Sequence, residues 1–396
     1  MYFFLMIRHI SADFVIPVIG KPLKNGVISV NERGEILNLY DSESSGLITE
    51  AIERFEGIIV PGLVNSHCHL ELSHLAGNIE GGKGLIPFIK AVIGQRSADE
   101  QTILQAMELA DKAMYENGIV AVGDISNNSL SKKIQKSSPI HYHTFVEFLG
   151  FDPKNAKSIL NKAEQVLEDF APMRASLAPH APYSVSRELL KLFQKNRAGD
   201  YELTSIHNQE SEDENELYRY KTGGFIDFYK NLNLNIDFFR PQARNSIQSL
   251  LPLFSKNQRI LLVHNTFTSL KDIHFVKRFN RDIHWCFCPG ANLYIEKKLP
   301  KIEMFTFHDF NITLGTDSLA SNDKLCIFSE LKTLKEHFPS LPFTETIRWA
   351  TINGATFLGI NQKYGSIEIG KTPGLNLITN AKELELTASS VIRKLV

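Results

Sequence analysis

The sequence predicts an α/β protein whose main unit is a closed (β/α)8 TIM barrel, joined by a small β-sandwich domain built from both chain ends. Three observations lead to this prediction. Short apolar runs alternate with helical patterns along the middle of the chain, these runs number eight, and polar residues follow several of them at the same end. An open doubly wound sheet is the alternative, but the glycine-rich first turn typical of that arrangement is absent from the sequence.

Each predicted barrel strand is a short run rich in β-branched or other apolar residues. In order, the runs are Ile58–Val64, Ile119–Ile125, Ile140–Leu149, Arg174–Ala178, Leu203–Ile206, Ile260–Val263, Ile283–Phe287 and Ile312–Leu314. Helices are predicted between them: one opens at a capping box, Ser97–Glu100, and two others follow the capping residues Ser186 and Ser269. Strands that alternate with helices indicate parallel βαβ units, and eight such units indicate a closed barrel.

The two chain ends predict a second, smaller unit. Short runs with turn residues between them precede the barrel, and two further runs follow it: Phe3–Ile7, Phe14–Val18, Gly26–Val30, Ile36–Tyr40, then Ile367–Lys371 and Leu375–Thr379. We therefore predict a β-sandwich domain of residues 1–57 plus 362–396 and a catalytic barrel of residues 58–361.

Composition excludes several classes of partner. Hydrophobic residues make up 43% and charged residues 22% of the 396 residues, which is typical of a globular protein, and the formal net charge of −1 indicates neither a nucleic-acid nor a membrane partner. The apolar start ends at Arg8, too early for a signal peptide or a membrane span, so we expect a cytoplasmic protein. The four cysteines form no Cys-x-x-Cys pair, and we expect free thiols in the core.

Polar side chains follow five of the eight predicted strands at the C-terminal end, which is where barrels of this class carry their active sites. They are His67 and His69 after the first strand, His180 after the fourth, His207 and Glu210 after the fifth, His264 after the sixth and Asp317 after the eighth. Any one of these histidines is compatible with a hydrogen-bonded core residue. The whole set at one end of the barrel predicts a site.

His67, His69, His207 and Asp317 offer three imidazole nitrogens and one carboxylate, a ligand set suited to Zn²⁺ or Fe²⁺ with a position left for water. A bound metal lowers the pKa of such a water to about 7. Glu210 lies close enough to share the pocket without being a ligand, and it is the candidate proton shuttle. His264 is expected to orient the attacking hydroxide, and Asp317 to combine ligand and proton-transfer roles.

Several segments together resemble the amidohydrolase superfamily over essentially the whole chain: His67–His69, His207–Glu210, Val263–Asn265, Cys288–Leu293, Leu314–Asn322 and Gly365–Lys371. They are most similar to its mononuclear aminohydrolases, which deaminate nucleobases and nucleosides or dechlorinate triazines. The resemblance implies the same metal ligands and the same catalytic residues, Glu210, His264 and Asp317. It also implies a single metal, because His180 stands where binuclear members have a carboxylated lysine. Two departures occur: Gly290 and Ala291 follow Cys288-Pro289 in place of a larger residue and a serine, and Pro373-Gly374 replaces a usual Ala-Asp.

The resemblance further implies where substrate binds. A histidine at position 180 is similar to a substrate-contacting residue of nucleoside-type deaminases, with a structural histidine as the alternative. Asn292 and Ser318, within the matched motifs, are expected to contact substrate as well. The segment His69–Ser73 with Phe88–Lys90 and Arg96 is similar to aminofutalosine deaminases, which act on an adenine amine within a modified nucleoside. Glu71 is then either a substrate ligand or an exposed loop carboxylate.

These observations lead us to expect a hydrolytic deaminase in which metal-bound hydroxide attacks the amine-bearing carbon of a purine-type base or nucleoside and ammonia leaves. The expected cofactor is one zinc ion, with Fe(II) as the alternative, and the expected partner is a small molecule, with a homodimer left open. The alternatives are a cyclic-amide hydrolase similar to imidazolonepropionase, a triazine-type chlorohydrolase, and a non-catalytic metal- or ligand-binding barrel.

Three other motifs are assigned no chemistry. The segment Gly77–Gly84 nearly matches a P-loop but lacks the Ser/Thr, and no helix clearly starts there, so we interpret it as a lid beside the site. His141 and His143 repeat the His-x-His pattern but open the third strand, at the wrong face of the barrel. The acidic run that follows Glu210, through Glu214, is interpreted as a solvated loop.

Overall fold

The computed structural model describes residues 7–41, 46, 48, 51–196, 202–279 and 281–396. Its strands are β1 (Arg8–Val15), β2 (Leu23–Lys24), β3 (Val27–Val30), β4 (Ile36–Tyr40), β5 (Ile52–Pro61), β6 (Leu63–Cys68), β7 (Ile119–Ser126), β8 (His141–Phe148), β9 (Ala175–Pro179), β10 (Leu203–Asn208), β11 (Arg259–His264), β12 (Asp282–Phe287), β13 (Asn311–Leu314), β14 (Leu375–Thr379) and β15 (Val391–Lys394). Its helices are α1 (Leu85–Gln95), α2 (Glu100–Glu116), α3 (Ser131–Ser137), α4 (Ala156–Phe170), α5 (Arg187–Asn196), α6 (Glu212–Tyr220), α7 (Gly224–Asn231), α8 (Ser246–Leu250), α9 (Leu270–Arg278), α10 (Pro289–Glu296), α11 (Ile302–Thr306), α12 (Ile327–His337), α13 (Phe343–Trp349) and α14 (Ile352–Phe357).

Eight parallel strands, β6 to β13, form the predicted barrel. β6–β9 make one four-stranded sheet and β10–β13 a second. Backbone hydrogen bonds join the two sheets at both seams: His207 N donates to His180 O at 2.9 Å, and Thr316 N donates to His67 O at 3.0 Å. Since both seams are hydrogen-bonded at the C-terminal ends of the strands, those ends surround one common opening.

The two chain ends together build the small β-domain that we predicted, and its described strands form a single sheet. Its strand order is β15-β14-β5-β1-β3-β4, with β2 paired to β1. Of the predicted run Phe3–Ile7, residues 3–6 lie outside the described residues. The run Ile367–Lys371 is not a strand, and Gly370 turns there with φ +85°. The limits of the two domains, residues 57/58 and 361/362, stay a prediction.

The first barrel strand begins later than we predicted. Ile58–Pro61 belongs to β5 of the terminal sheet, where Ile59 lies opposite Val15 of β1 and Leu377 of β14. The barrel strand β6 starts only at Leu63. Gly62 separates the two strands, and its N–H donates to Pro373 O at 3.1 Å. The prediction of one strand over Ile58–Val64 is therefore wrong, because a single apolar run serves two sheets.

Replacing Gly62 with alanine is expected to destabilise the fold by about 1–3 kcal/mol, the usual cost of overpacking. A Cβ there would lie 2.5 Å from the backbone oxygen of Pro373 and would also overlap Val120. Gly94→Ala is the matched control, since Gly94 lies in α1 with open space around it, and alanine there favours the helix by about 0.5–1 kcal/mol. Urea unfolding measures both. Wild-type stability of Gly62→Ala would contradict the prediction.

The predicted helix starts are mostly confirmed. Ser269 caps α9 in a capping box with Asp272, and Ser186 Oγ accepts from Leu189 N at the start of α5. For α2, Asp99 is the capping residue, because its carboxylate accepts from Thr102 N, and Ser97 lies before the helix. None of the described helices is both long and apolar enough to cross a membrane.

Candidate metal centre and active site

Five side chains meet at the C-terminal mouth of the barrel: His67, His69, His207, His264 and Asp317. His69 Nε2 lies 3.3 Å from His207 Nε2 and 3.4 Å from Asp317 Oδ1, and His67 Nε2 lies 3.6 Å from the same oxygen. One nitrogen or oxygen each from His67, His207, His264 and Asp317 lie within 4.8 Å of one another. The four residues predicted as metal ligands are thus brought together, with His264 beside them.

The backbone turns sharply where these strands end, and this aims the side chains at the opening. His264 and Asp317 have φ values of +71° and +59°, in the left-handed region that residues other than glycine rarely adopt. Such conformations cluster at functional sites, where surrounding contacts hold them. Ser321 Oγ donates to Asp317 Oδ2 at 2.6 Å, so Oδ1 is the oxygen that faces His67 and His69.

The hydrogen bonds around the cluster leave histidine nitrogens whose lone pairs are free to bind a cation. His207 Nδ1 donates to the backbone oxygen of His180 at 2.7 Å, so Nε2 carries a lone pair toward His69. Both ring nitrogens of buried His67 have no hydrogen-bond partner in the described part of the chain. Buried polar atoms are seldom left this way. A divalent cation between these nitrogens and Asp317 would satisfy them, and the donor set fits Zn²⁺ or Fe²⁺.

Burial sets the protonation of the cluster. It lowers the pKa of His67 to about 3 and the pKa values of His69, His207 and His264 below the usual range, so the imidazoles are neutral and able to ligate. Burial also opposes ionisation of Asp317, but contact with His67 and His69 holds the pKa of that carboxyl well below its usual range. One carboxylate among neutral imidazoles attracts a cation.

Glu210 lies beside the cluster, three residues after His207. Tyr183 Oη donates to Glu210 Oε2 at 2.6 Å, and His264 Nε2 lies 3.2 Å from Oε1. Burial raises the pKa of Glu210 to about 7, although His207 and the Tyr183 hydrogen bond both act to lower it. A carboxyl group with a pKa near 7 can accept and release a proton at neutral pH.

Asn292 contacts His264 and not the open cavity. Asn292 Oδ1 lies 2.9 Å from His264 Nδ1, so His264 presents Nε2 to Glu210. Asn292 does not line the cavity described below, which leaves it in a supporting position where we predicted a substrate contact. The nearby departure from the family pattern has a steric reason, because a Cβ at Gly290 would lie 2.7 Å from Asn322 Nδ2.

A cavity of about 250 Å³ opens above the cluster. Its polar wall includes side chains of the cluster together with Glu210, His180 and Ser318. Its apolar wall comes from α1, the segment after β8, and α7, and it includes Phe88, Ile89, Val92, Leu149, Phe151 and Phe228. The cavity therefore suits a ligand with a polar head at the cluster and an apolar portion farther away.

Some of the residues predicted to bind substrate line this cavity, and others do not. His180 and Ser318 line it, and Glu71 does not. Glu71 is buried, which excludes the exposed loop carboxylate that we considered. Its oxygens accept from Arg96 Nη2 at 3.2 Å, Asn127 N at 3.0 Å and Asn128 Nδ2 at 3.1 Å. Glu71 thus holds Arg96, which does line the cavity.

Two acidic residues near the site were missed by sequence reasoning. Glu147, at the end of β8, lines the cavity, and Glu214 is fully buried in α6, where we expected a solvated loop. Glu214 accepts from the backbone N–H of Gln209 at 2.9 Å and so holds the turn before Glu210. The Ser-x-x-Glu spacing of Ser211 and Glu214 was a signal for a helix start. For Glu147, the signal was a polar residue at the same end of the third strand.

The segment Gly77–Gly84 is attached to α10. Gly84 N donates to Ile295 O at 3.0 Å, and Tyr294 Oη donates to Ile79 O. Contrary to our expectation, a helix does follow directly, since α1 begins at Leu85. Its first N–H is bound by the Glu296 carboxylate at 2.7 Å, as it would be by an anion in a P-loop. The lid interpretation stays a prediction.

The remaining motifs lie outside the cavity lining. His141 begins β8, and His143 Nε2 lies 2.9 Å from Ser176 Oγ, as a structural residue would. The cysteines Cys68, Cys286, Cys288 and Cys326 are free and buried, in agreement with the expected core thiols.

Comparison with known proteins finds likeness along most of the chain. The model of the amidohydrolase family matches residues 58–393. An adenosine deaminase from Helicobacter pylori is 27% identical over 81% of this chain and 78% of its own length. The crystal structure of Helicobacter pylori aminofutalosine deaminase in complex with methylthio-coformycin matches with a TM-score of 0.80 at 23% identity, over 98% of this chain and 100% of that one. An adenosine deaminase from Xanthomonas campestris with bound zinc matches with a TM-score of 0.71 at 21% identity, over 93% and 84%.

Proposed function

The chain belongs to the amidohydrolase family, and from this premise we propose that it is a hydrolytic deaminase that releases ammonia from an aminated purine-type nucleoside. It is thus a hydrolase of carbon–nitrogen bonds other than peptide bonds. The observation that carries the proposal is the shared cavity, in which Glu210, with its pKa near 7, lies beside His69, His207 and Asp317. The names of the relatives, adenosine deaminase and aminofutalosine deaminase, support the same reaction class.

A divalent metal is the cofactor, and we propose that it is zinc, held by His67, His69, His207 and Asp317. The unpartnered nitrogens of His67 and the lone pair of His207 Nε2 support this ligand set. The zinc-bound Xanthomonas campestris structure supports the choice of zinc, while Fe(II) has the same ligand chemistry. When bound, the ion supplies Lewis acidity that makes a water molecule nucleophilic near neutral pH.

The chain's own residues then handle the protons. Glu210 takes a proton from the attacking water and delivers it to a ring nitrogen of the base, which a pKa near 7 permits in both directions. His264, fixed by Asn292, directs Nε2 toward the same region and orients the water. The water oxygen bonds to the ring carbon, the bond from that carbon to the amine breaks, and the amine leaves as ammonia with the second water proton.

The apolar wall favours a nucleoside with an apolar substituent at its 5′ end. Phe88, Ile89 and Val92 of α1 and Phe228 of α7 offer such a group contact area, and water displaced from them adds to affinity. The Helicobacter pylori neighbour holds methylthio-coformycin, a ligand with a thioether, which supports this preference. His180 and Ser318 are proposed to contact the base.

We also propose that the enzyme acts in the cytoplasm.

The proposed partner is a small-molecule substrate. The net charge of −1 supports such a partner over nucleic acid or an anionic lipid surface. The homodimer stays an open prediction, which the molecular mass of the purified protein in solution tests.

An ammonia-release screen with the metal-loaded protein tests the function. The panel contains adenine, adenosine, 5′-deoxyadenosine, 5′-methylthioadenosine, cytosine and guanine, with metal content measured on the same sample. We expect ammonia from the nucleosides, with 5′-methylthioadenosine at least as good as adenosine. No ammonia from any member would contradict the proposal, and ring opening of a cyclic amide without ammonia would support the imidazolonepropionase-like alternative.

Replacing Tyr183 with Phe is expected to shift the pH profile upward. The Tyr183 hydroxyl favours ionised Glu210 by hydrogen bonding, so its loss raises the pKa of that carboxyl and moves the acidic limb of kcat/KM to higher pH. A hydrogen bond to a charged group corresponds to about 1 to 2 pH units. Tyr218→Phe is the matched control, because Tyr218 Oη donates to Pro182 O and does not contact Glu210. An unmoved limb in Tyr183→Phe would contradict the prediction.

A further inference from the structure

Glu147 is a buried carboxylate in the cavity wall to which the proposed reaction assigns no task. We propose that Glu147 accepts hydrogen bonds from the sugar hydroxyl groups of the substrate nucleoside and thereby selects ribonucleosides. This inference rests on the proposed deaminase function and deepens it, because it concerns the part of the substrate that does not react.

The geometry leaves one oxygen of Glu147 available. Glu147 is the second-last residue of β8 and is 8% exposed, and its Oε2 accepts from Asn127 Nδ2 at 2.9 Å. Its Oε1 has no hydrogen-bond donor in the described part of the chain and lies 3.8 Å from His207 Nδ1, which already donates to a backbone oxygen. When a ligand fills the cavity and excludes water from its wall, an unpaired carboxylate oxygen there is costly unless the ligand supplies a donor. A substrate group in the cavity is the donor that the site lacks.

The position of Glu147 matches the middle of a nucleoside. Next to it on one side is His207, which belongs to the cluster where the amine-bearing ring reacts. On the other side the same chain segment continues to Leu149 and Phe151 of the apolar wall. The part of a substituted nucleoside between its base and its 5′ group is the sugar. Its hydroxyls are donors, and a carboxylate is an acceptor.

The charges around Glu147 favour a neutral group over a phosphate. Arg96 is the one cation among the residues that line this cavity, and Glu71 already pairs with it. Glu147 itself adds negative charge. A phosphate beside Glu147, in the part of the cavity away from the proposed metal, would therefore meet more repulsion than attraction from the side chains, which points to a nucleoside and not a nucleotide.

A second metal is the competing occupant, since Glu147, His180 and His207 could each direct one ligand atom to a common point. The state of His207 disfavours it. His207 Nε2 is assigned to the first metal and His207 Nδ1 donates to the His180 backbone, so neither nitrogen of this ring has a lone pair left for a second ion. Metal content of the loaded enzyme separates the two occupants.

The test compares kcat/KM for 5′-methylthioadenosine with its 2′-deoxy and 3′-deoxy analogues. For the wild type we expect about 10- to 100-fold lower values with at least one deoxy analogue, the usual worth of a hydrogen bond to a charged group. In Glu147→Ala that ratio should fall to near one, and Glu147→Gln should keep part of it. Asp111→Ala is the matched control, because Asp111 is a buried carboxylate bonded to Ser138 and Tyr142 outside the cavity lining, and it should leave the ratio unchanged.

Each other outcome overturns the inference in a recognisable way. Equal values for ribo- and deoxynucleosides with the wild type, which needs no variant, would exclude recognition of the hydroxyls. An equal loss on all substrates in a folded Glu147→Ala would assign Glu147 a merely structural role. Two metal ions in the wild type and one in the variant would assign it to a metal. If the wild type releases ammonia from no nucleoside, the proposed function fails together with this inference.

Discussion

Replacing Glu210 with Gln is expected to lower kcat for nucleoside deamination by about 100- to 10,000-fold, the usual contribution of a positioned general acid–base. The amide has nearly the same shape and can still accept the 2.6 Å hydrogen bond from Tyr183, but it cannot carry a proton between water and base. Because Glu210 is not among the proposed ligands, metal content should be unchanged. Single-turnover ammonia release and metal analysis on the same preparation measure both quantities.

Glu212→Gln is the matched control for that variant. Glu212 lies two residues later, at the exposed start of α6, where it pairs with Arg219. Its loss should leave kcat near the wild-type value, since surface ion pairs contribute little. A Glu210→Gln enzyme that keeps its activity would remove Glu210 from the proton pathway. A variant without metal would instead give it a ligand role.

The barrel and most of its site could be predicted because one rule links them. Parallel strands in a barrel end at the same face, so polar residues after apolar runs are brought together whatever their separation in sequence. His69 and His207 are 138 positions apart, yet their Nε2 atoms lie 3.3 Å apart. The rule needs only the strands and their direction, both of which the apolar runs indicate.

Contacts that depend on a neighbour's position could not be predicted in the same way. The apolar run Ile58–Val64 reads as one strand, and only the packing of Pro373 and Val120 around Gly62 shows why it divides. Glu71 lies in a short 3-10 helix, Leu70–Leu75, where the sequence allows exposure or substrate contact. It is instead buried and pairs with Arg96, which lies 25 residues away. Such outcomes are set by tertiary contacts, which leave no periodic pattern in the sequence.

Three buried carboxylates outside the cavity hold the turns that carry the site. Each accepts from a backbone N–H close to a functional segment: Asp124 from Leu70 N at 2.9 Å, Glu214 from Gln209 N at 2.9 Å, and Glu330 from Gly290 N at 2.7 Å. Burial raises their pKa values to about 7, 8 and 7, despite these hydrogen bonds. Because burying such groups is unfavourable, their hydrogen bonds to the segments that follow three barrel strands indicate that rigid turns matter to the site.

Replacing Asp317 with Asn is expected to weaken metal binding by more than about 100-fold. Even the loss of a group that only hydrogen-bonds to a metal ligand typically lowers metal affinity by about 10- to 100-fold. The change removes the Asp317 carboxylate, which faces His67 and His69, so the cation loses this negative counter-charge in a buried site. Ammonia release should fall with the metal content. Dialysis against a graded metal buffer, followed by metal analysis, measures the affinity directly.

Two further variants make that result interpretable. Ser321→Ala removes the 2.6 Å hydrogen bond to Asp317 Oδ2 and should weaken metal binding by about 10- to 100-fold, between wild type and Asp317→Asn. Asp323→Asn changes an exposed carboxylate on the same turn and should leave metal binding unchanged. We therefore expect metal affinity to be lowest in Asp317→Asn, intermediate in Ser321→Ala and unchanged in Asp323→Asn. This order follows from geometry, because Asp317 faces the histidines, Ser321 contacts Asp317, and Asp323 is exposed. Wild-type metal affinity in Asp317→Asn would exclude Asp317 as a ligand and leave the histidines alone to account for the site.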